Sequence, residues 1–175
     1  MKSKHKRLFV SVINDIFGKQ YPLDMEVETL PSEGYLTESE TVDDSKEIKE
    51  LISDFLIKIE NDVYLLECQS YNDGSMAIRM AEYAFIVARQ FATWDIGHAT
   101  IPMPRFAIVY VKRTDKTPDK TVITFKFPDG RDVIYKSDNV LLEELTKEYI
   151  VEKKLFPYIP FILRDTRRIL YWATV

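Results

Sequence analysis

SDFLIKIENDVYLLECQSYNDGSMAIRMAEY, residues 53–83, is the stretch around which the rest of the chain is organised. Phe55, Ile57 and Ile59 alternate with Asp54, Leu56 and Lys58, and Tyr64, Leu66 and Cys68 alternate with Val63, Leu65, Glu67 and Gln69. Two runs of period 2 on either side of a polar pair predict a β-hairpin, with Asn61-Asp62 as the turn. That turn makes Glu60 face Val63, Leu56 face Glu67 and Asp54 face Gln69. Opposed residues share a sheet face, as do residues two apart on a strand. Asp54, Glu67 and Gln69 then converge on one polar patch, and Phe55, Ile57, Ile59, Tyr64, Leu66 and Cys68 line the apolar face. A three-residue loop would shift the register by one and carry Asp54 to the other face.

Two carboxylates and a carboxamide on adjacent strands suit a hard divalent cation. Oxygen ligands favour Mg²⁺, which keeps several waters and is held by one or two carboxylates beside a phosphate substrate. The competing reading is a solvated strand face, since acidic residues are common throughout the chain.

The run Asp54 … Glu67-Cys68-Gln69-Ser70 … Asp73-Gly74-Ser75-Met76 … Arg79-Met80 … Tyr83 resembles the PD-(D/E)XK nuclease-family transposases, also called recombination-promoting nucleases. The likeness continues through Met103-Pro104, Phe127-Pro128-Asp129-Gly130 and Leu155-Phe156-Pro157-Tyr158-Ile159-Pro160, and so spans about Phe17 to Arg164. It implies a restriction-endonuclease-like fold, a mixed central sheet flanked by helices. It also implies Mg²⁺-dependent DNA cleavage (Mn²⁺ being an alternative metal), with Asp54, Glu67 and the backbone carbonyl of Cys68 as metal ligands. The family's third motif position is normally Lys; Gln69 stands there, a variant known in this branch. Gln69 has no titratable proton, so it can only orient a water or the phosphate by hydrogen bonding.

Composition bounds the alternatives. The 175 residues suffice for one domain with a real core, and 46% apolar with 30% charged residues excludes a disordered chain. The single Cys68 excludes internal disulfides and a zinc–thiolate cluster. No apolar run reaches membrane-spanning length, and Met1–Arg7 lacks the apolar core of a signal peptide, so a cytoplasmic location without membrane contact is expected. His5 and His98 stand alone and support no histidine-centred chemistry. The net charge of −4 disfavours a general nucleic-acid coat, leaving local basic clusters as DNA contacts. These are Lys2, Lys4, Lys6 and Arg7; Lys112, Arg113, Lys116 and Lys120; and Arg164, Arg167 and Arg168. Ordinary surface charge is the alternative for each.

Helical spacing of Leu8, Val12, Ile13 and Ile16 predicts a helix over 8–17, ended by Gly18 and Pro22. Residues 25–40 give no clear pattern, although Glu26, Glu28, Glu33, Glu38 and Glu40 are candidates for a further carboxylate; 43–50 reads as a charged loop. A helix over 76–92, with Ser75 as N-cap, is apolar on most of its circumference and so is expected to be largely buried. Arg79 and Tyr83 share one of its faces at i,i+4 spacing. Beginning just after Gln69, that face can lie beside the carboxylates, with Arg79 on a phosphate or merely pairing a carboxylate to fix the helix on the sheet. Phe106–Val111 reads as a central buried strand, 121–127 and 132–136 as a hairpin about Pro128-Asp129-Gly130, and 139–154 as a helix. The tail from Leu155 is aromatic and apolar, broken by Pro157 and Pro160, and ends where relatives continue, as in a shortened family member.

The expected architecture is therefore α/β, with a mixed sheet of four to six strands in a single domain. The expected activity is metal-dependent hydrolysis of DNA phosphodiesters, carried by Asp54, Glu67 and Gln69 with Arg79 and Tyr83 on the substrate. DNA is the expected partner, with homodimerisation as a further expectation. A non-catalytic module of the same fold, binding DNA or a protein, is the alternative.

Overall fold

The computed structural model describes residues 7–30, 55–70 and 74–163. In chain order the elements are helix α1 (Leu8–Phe17), strands β1 (Glu28–Thr29), β2 (Phe55–Ile59) and β3 (Asp62–Gln69), then helix α2 (Met76–Gln90). Strands β4 (Thr93–Asp95), β5 (His98–Thr100), β6 (Arg105–Tyr110), β7 (Lys120–Lys126), β8 (Asp132–Asp138) and β9 (Val140–Leu141) follow, then helices α3 (Lys147–Glu152) and α4 (Ile159–Leu163). Asp54, the readings placed on 31–53, the polar turn at 71–73, Lys2, Lys4, Lys6 and everything from Arg164 onward lie outside the described residues.

Strands β1-β2-β3-β6-β9 form one five-stranded sheet. β2 runs antiparallel to both β1 and β3, whereas β6 runs parallel to both β3 and β9. The sheet is therefore mixed, as expected. β6 is buried along Phe106–Tyr110 because both its faces are covered, which is why its sequence is continuously apolar.

The hairpin forms, but its turn is displaced. Ile59 pairs with Asp62 and Leu56 with Leu65, so the loop is Glu60-Asn61 rather than Asn61-Asp62. Glu60 takes the left-handed conformation (φ 54) that closes it. The reason lies in tertiary structure: Asp62, drawn into β3, accepts hydrogen bonds on Oδ2 from Lys19 Nζ (2.6 Å), Tyr21 OH (3.0 Å) and Tyr64 OH (3.1 Å). Because the pairing slips by two residues rather than one, the division into faces survives.

One face carries Ile57, Ile59, Tyr64 and Leu66 against α1, Ile150, Leu155, Tyr158 and Ile162, with Phe55 and Cys68 half-buried at its margin. The other face carries Leu56 and Leu65 with Phe106, Ile108 and Tyr110, and is covered by α2 and by Ile123 of the β7–β8 hairpin. The supposed polar face is thus a second core in which Glu67 is embedded.

Helix α1 spans the expected residues, stopped by Gly18 in the left-handed region (φ 61). Helix α2 is less buried than its composition implied: Ile78 is 66% and Phe85 47% exposed. The largest departure is at 139–154. Val140–Leu141 extend the sheet beside β6, Leu142–Glu144 form a 3-10 turn, and Leu145 is extended (ψ 127). The helix begins only at Lys147, where Thr146 Oγ1 accepts the Tyr149 N–H at 3.1 Å. Among the described residues no helix is long and apolar enough to cross a membrane.

Candidate active site

Glu67 and Gln69 lie two residues apart near the carboxyl end of β3, and their side chains meet: Gln69 Nε2 donates to Glu67 Oε1 at 2.9 Å. Glu67 is only 2% exposed. A carboxylate buried to that degree must be paired or neutralised, and here a guanidinium supplies the counter-charge. Arg79, one turn into α2, donates from Nη2 to the same Oε1 at 3.0 Å.

The i,i+4 spacing on α2 then does what the sequence suggested. Tyr83 OH accepts from Arg79 Nη2 at 3.2 Å and from Nε at 3.4 Å, while Arg79 Nη1 approaches Met76 Sδ at 3.2 Å. Tyr83 is itself 6% exposed, so it buttresses the guanidinium from within the core. Four of the residues singled out from sequence (Glu67, Gln69, Arg79 and Tyr83) thus form one hydrogen-bonded chain joining β3 to α2. The arginine–carboxylate pairing is the second of the two roles open to Arg79, and a phosphate contact requires it to exchange that partner.

Backbone geometry orients the remaining motif residue. Val111 N–H donates to the Gln69 carbonyl at 2.8 Å, so Gln69 directs its backbone oxygen toward β6. Alternation along the strand turns the Cys68 carbonyl to the opposite side, toward β2. The Cys68 side chain is half-buried on the α1 face, away from the Glu67 cluster.

These donors are all hard oxygens: a carboxylate, a side-chain amide and a backbone carbonyl. Such a set fits Mg²⁺ or Mn²⁺ in kind. Glu67 is its only carboxylate among the described residues, which contain no group of three or more His, Cys, Asp or Glu side chains able to hold a metal. Glu67 Oε1 is already engaged by Arg79 and Gln69, and Asp54 lies outside the described residues.

The basic cluster at 112–120 is not a bare cationic patch. Arg113 pairs with Glu144 and, at 2.8 Å, with Asp119, which raises its pKa; Lys120 pairs with Asp138 at 2.9 Å. The sequence reading missed a second polar centre, the Lys19–Asp62–Tyr21–Tyr64 network, at the opposite end of β3. Its only sequence signal was an aspartate at a hairpin turn, which is too common to single out. No family model, curated protein or solved structure matches this chain.

Proposed function

We propose that the chain is a metal-dependent DNA endonuclease of restriction-endonuclease-like fold, acting in the cytoplasm in recombination or transposition. The observation that carries this reading is the convergence of Gln69 and Arg79, from two elements, onto one oxygen of the buried Glu67 carboxylate, with Tyr83 holding Arg79 in place. Its place at the carboxyl ends of the parallel pair β3 and β6 adds support, because open α/β sheets bind ligands outside those ends.

In this reading Asp54, Glu67 and the Cys68 carbonyl would hold the cation, whose chemistry is to polarise the phosphate and acidify a bound water. The chain's own side chains divide the remaining work. Gln69 orients a water or a phosphate oxygen through its amide. Arg79, already poised on the site by Tyr83, exchanges Glu67 for a phosphate oxygen and offers a planar fork of donors to it. Neither residue removes a proton at neutral pH.

A second reading, a non-catalytic DNA- or protein-binding module, is favoured by one observation: Glu67 already has its charge balanced by Arg79. A nicking assay on supercoiled plasmid separates the two. The nuclease reading expects nicks in Mg²⁺ that vanish in EDTA and in Asp54→Ala; intact plasmid under every condition leaves the binding module.

A further inference from the structure

The ribbon formed by β4 and β5 is exposed at every position, with Gly97 (φ 75) in its turn. Ile96 at the tip is 100% exposed and Trp94 78%. Large apolar side chains exposed together on one ribbon point to an interaction surface, and tryptophan is among the commonest anchors of protein interfaces. At the root of the ribbon lies a groove of about 830 Å³, walled in part by Phe91, Met103, Pro104 and Ile134. The ribbon's full exposure shows that it does not occupy its own protomer's groove.

Charge distinguishes the occupants. The two acidic groups on the groove are engaged, Asp62 by Lys19 at 2.6 Å and Asp138 by Lys120 at 2.9 Å. Its two cations, Arg105 and Lys136, have no ion pair among the described residues, so the groove joins apolar walls to two cations open to an acidic partner. The ribbon offers the complement. Asp95 sits between Trp94 and Ile96, its Oδ1 accepting the Ile96 N–H at 2.6 Å, and no ion pair engages it among the described residues. The ribbon carries no lysine or arginine, so it is poorly suited to a phosphate backbone.

We propose that two copies of this chain associate about a two-fold axis, each inserting its β4–β5 ribbon into the other's groove, with Asp95 against Arg105 and Lys136. One rotation then satisfies both contacts at once, as an isologous interface requires. The proposal does not depend on the chemistry assigned to Glu67.

Sedimentation velocity of the full chain over a concentration series tests it, with circular dichroism to verify folding. Wild type should dimerise, and Ile96→Asp, which touches no core residue, should be monomeric. Asp95→Arg should weaken the dimer by about tenfold or more, the loss of one desolvated charge contact. Combining it with Arg105→Glu and Lys136→Glu should restore association. In a Trp172→Phe background the emission of Trp94 should move to the red as the dimer is diluted. A wild type that stays monomeric, a dimer indifferent to Ile96→Asp, or a charge reversal that fails to rescue would each overturn the proposal.

Discussion

Arg79 Nη2 stands 3.0 Å from Glu67 Oε1, so α2 is fastened to β3 through a carboxylate that water scarcely reaches. The two side chains differ in their surroundings: the Glu67 side chain is almost wholly buried, whereas that of Arg79 is 31% exposed. The pair is therefore asymmetric. Removing the arginine takes the guanidinium counter-charge from a buried anion, whereas removing the glutamate leaves a cation that can turn toward solvent.

Arg79→Ala should accordingly cost more stability than Glu67→Gln. Breaking a fully buried pair costs about 3–5 kcal/mol, and the exposure of Arg79 reduces that to about 2–3 kcal/mol. The double variant Arg79→Met with Glu67→Leu should recover most of the loss, since no unpaired charge is left. Urea denaturation measures all four proteins; a double variant as unstable as Arg79→Ala would show that the stranded charge is not the cause.

Millimolar Mg²⁺ or Mn²⁺ should raise the melting temperature, as expected of a ligand that binds only the native site. At about a hundredfold excess over the dissociation constant the gain is about 2.7 kcal/mol. Arg79→Met should enlarge the increment because the guanidinium no longer competes for Glu67 Oε1. A melting curve unmoved by metal in both proteins would remove the proposed cation.

In plasmid nicking, Glu67→Ala should abolish cleavage by removing the proposed metal ligand. Gln69→Ala should slow it by about ten- to a thousandfold, the worth of one positioned donor in a transition state. Gln69→Lys should keep or raise the rate by adding a cation beside the phosphate. If wild type and Gln69→Lys both leave plasmid intact with either metal, the binding-module reading replaces the enzyme.

Acid stability should report on the second polar centre. The Lys19 hydrogen bond first, then those from Tyr21 and Tyr64, hold the Asp62 carboxyl below its ordinary range. A carboxyl depressed in the folded state stabilises above its unfolded pKa, about 3.9, and loses that contribution as pH falls through the lower folded value. The gap in melting temperature between wild type and Asp62→Asn should therefore be widest near neutrality and close in strong acid. A gap independent of pH would mean that the charge of Asp62 contributes nothing.

Much of this arrangement was legible because its signals are local. Gly18 stops α1 where the apolar spacing runs out, and the alternation over 55–69 sorted the hairpin's faces even though its turn was misplaced. Arg79 and Tyr83 could be put on one face because four residues is one helical turn. What escaped depends on distant partners. The turn moves because Lys19 and Tyr21, some forty residues earlier, hold Asp62. Leu141 and Leu142 fit a helical stripe, yet the open edge of β6 recruits Val140–Leu141 as a strand, and only Thr146 with its cap could have marked the true helix start. Of the expected polar patch Glu67 proved to be buried, because Leu56 and Leu65, on the same face, demand a cover that α2 supplies. The β4–β5 ribbon gave no pattern because it is exposed at every position.

The two parallel neighbours of β6 also set the order in which the sheet can be completed during synthesis. Val109 and Tyr110 gain their second partner only when Val140 and Leu141 have been made. At about 5–20 residues per second, the ribosome needs about 2–6 s to cover that distance. Throughout that interval the nascent chain carries an apolar strand with one unsatisfied edge, the kind of surface that invites chaperone capture or pairing with a neighbouring polysome product.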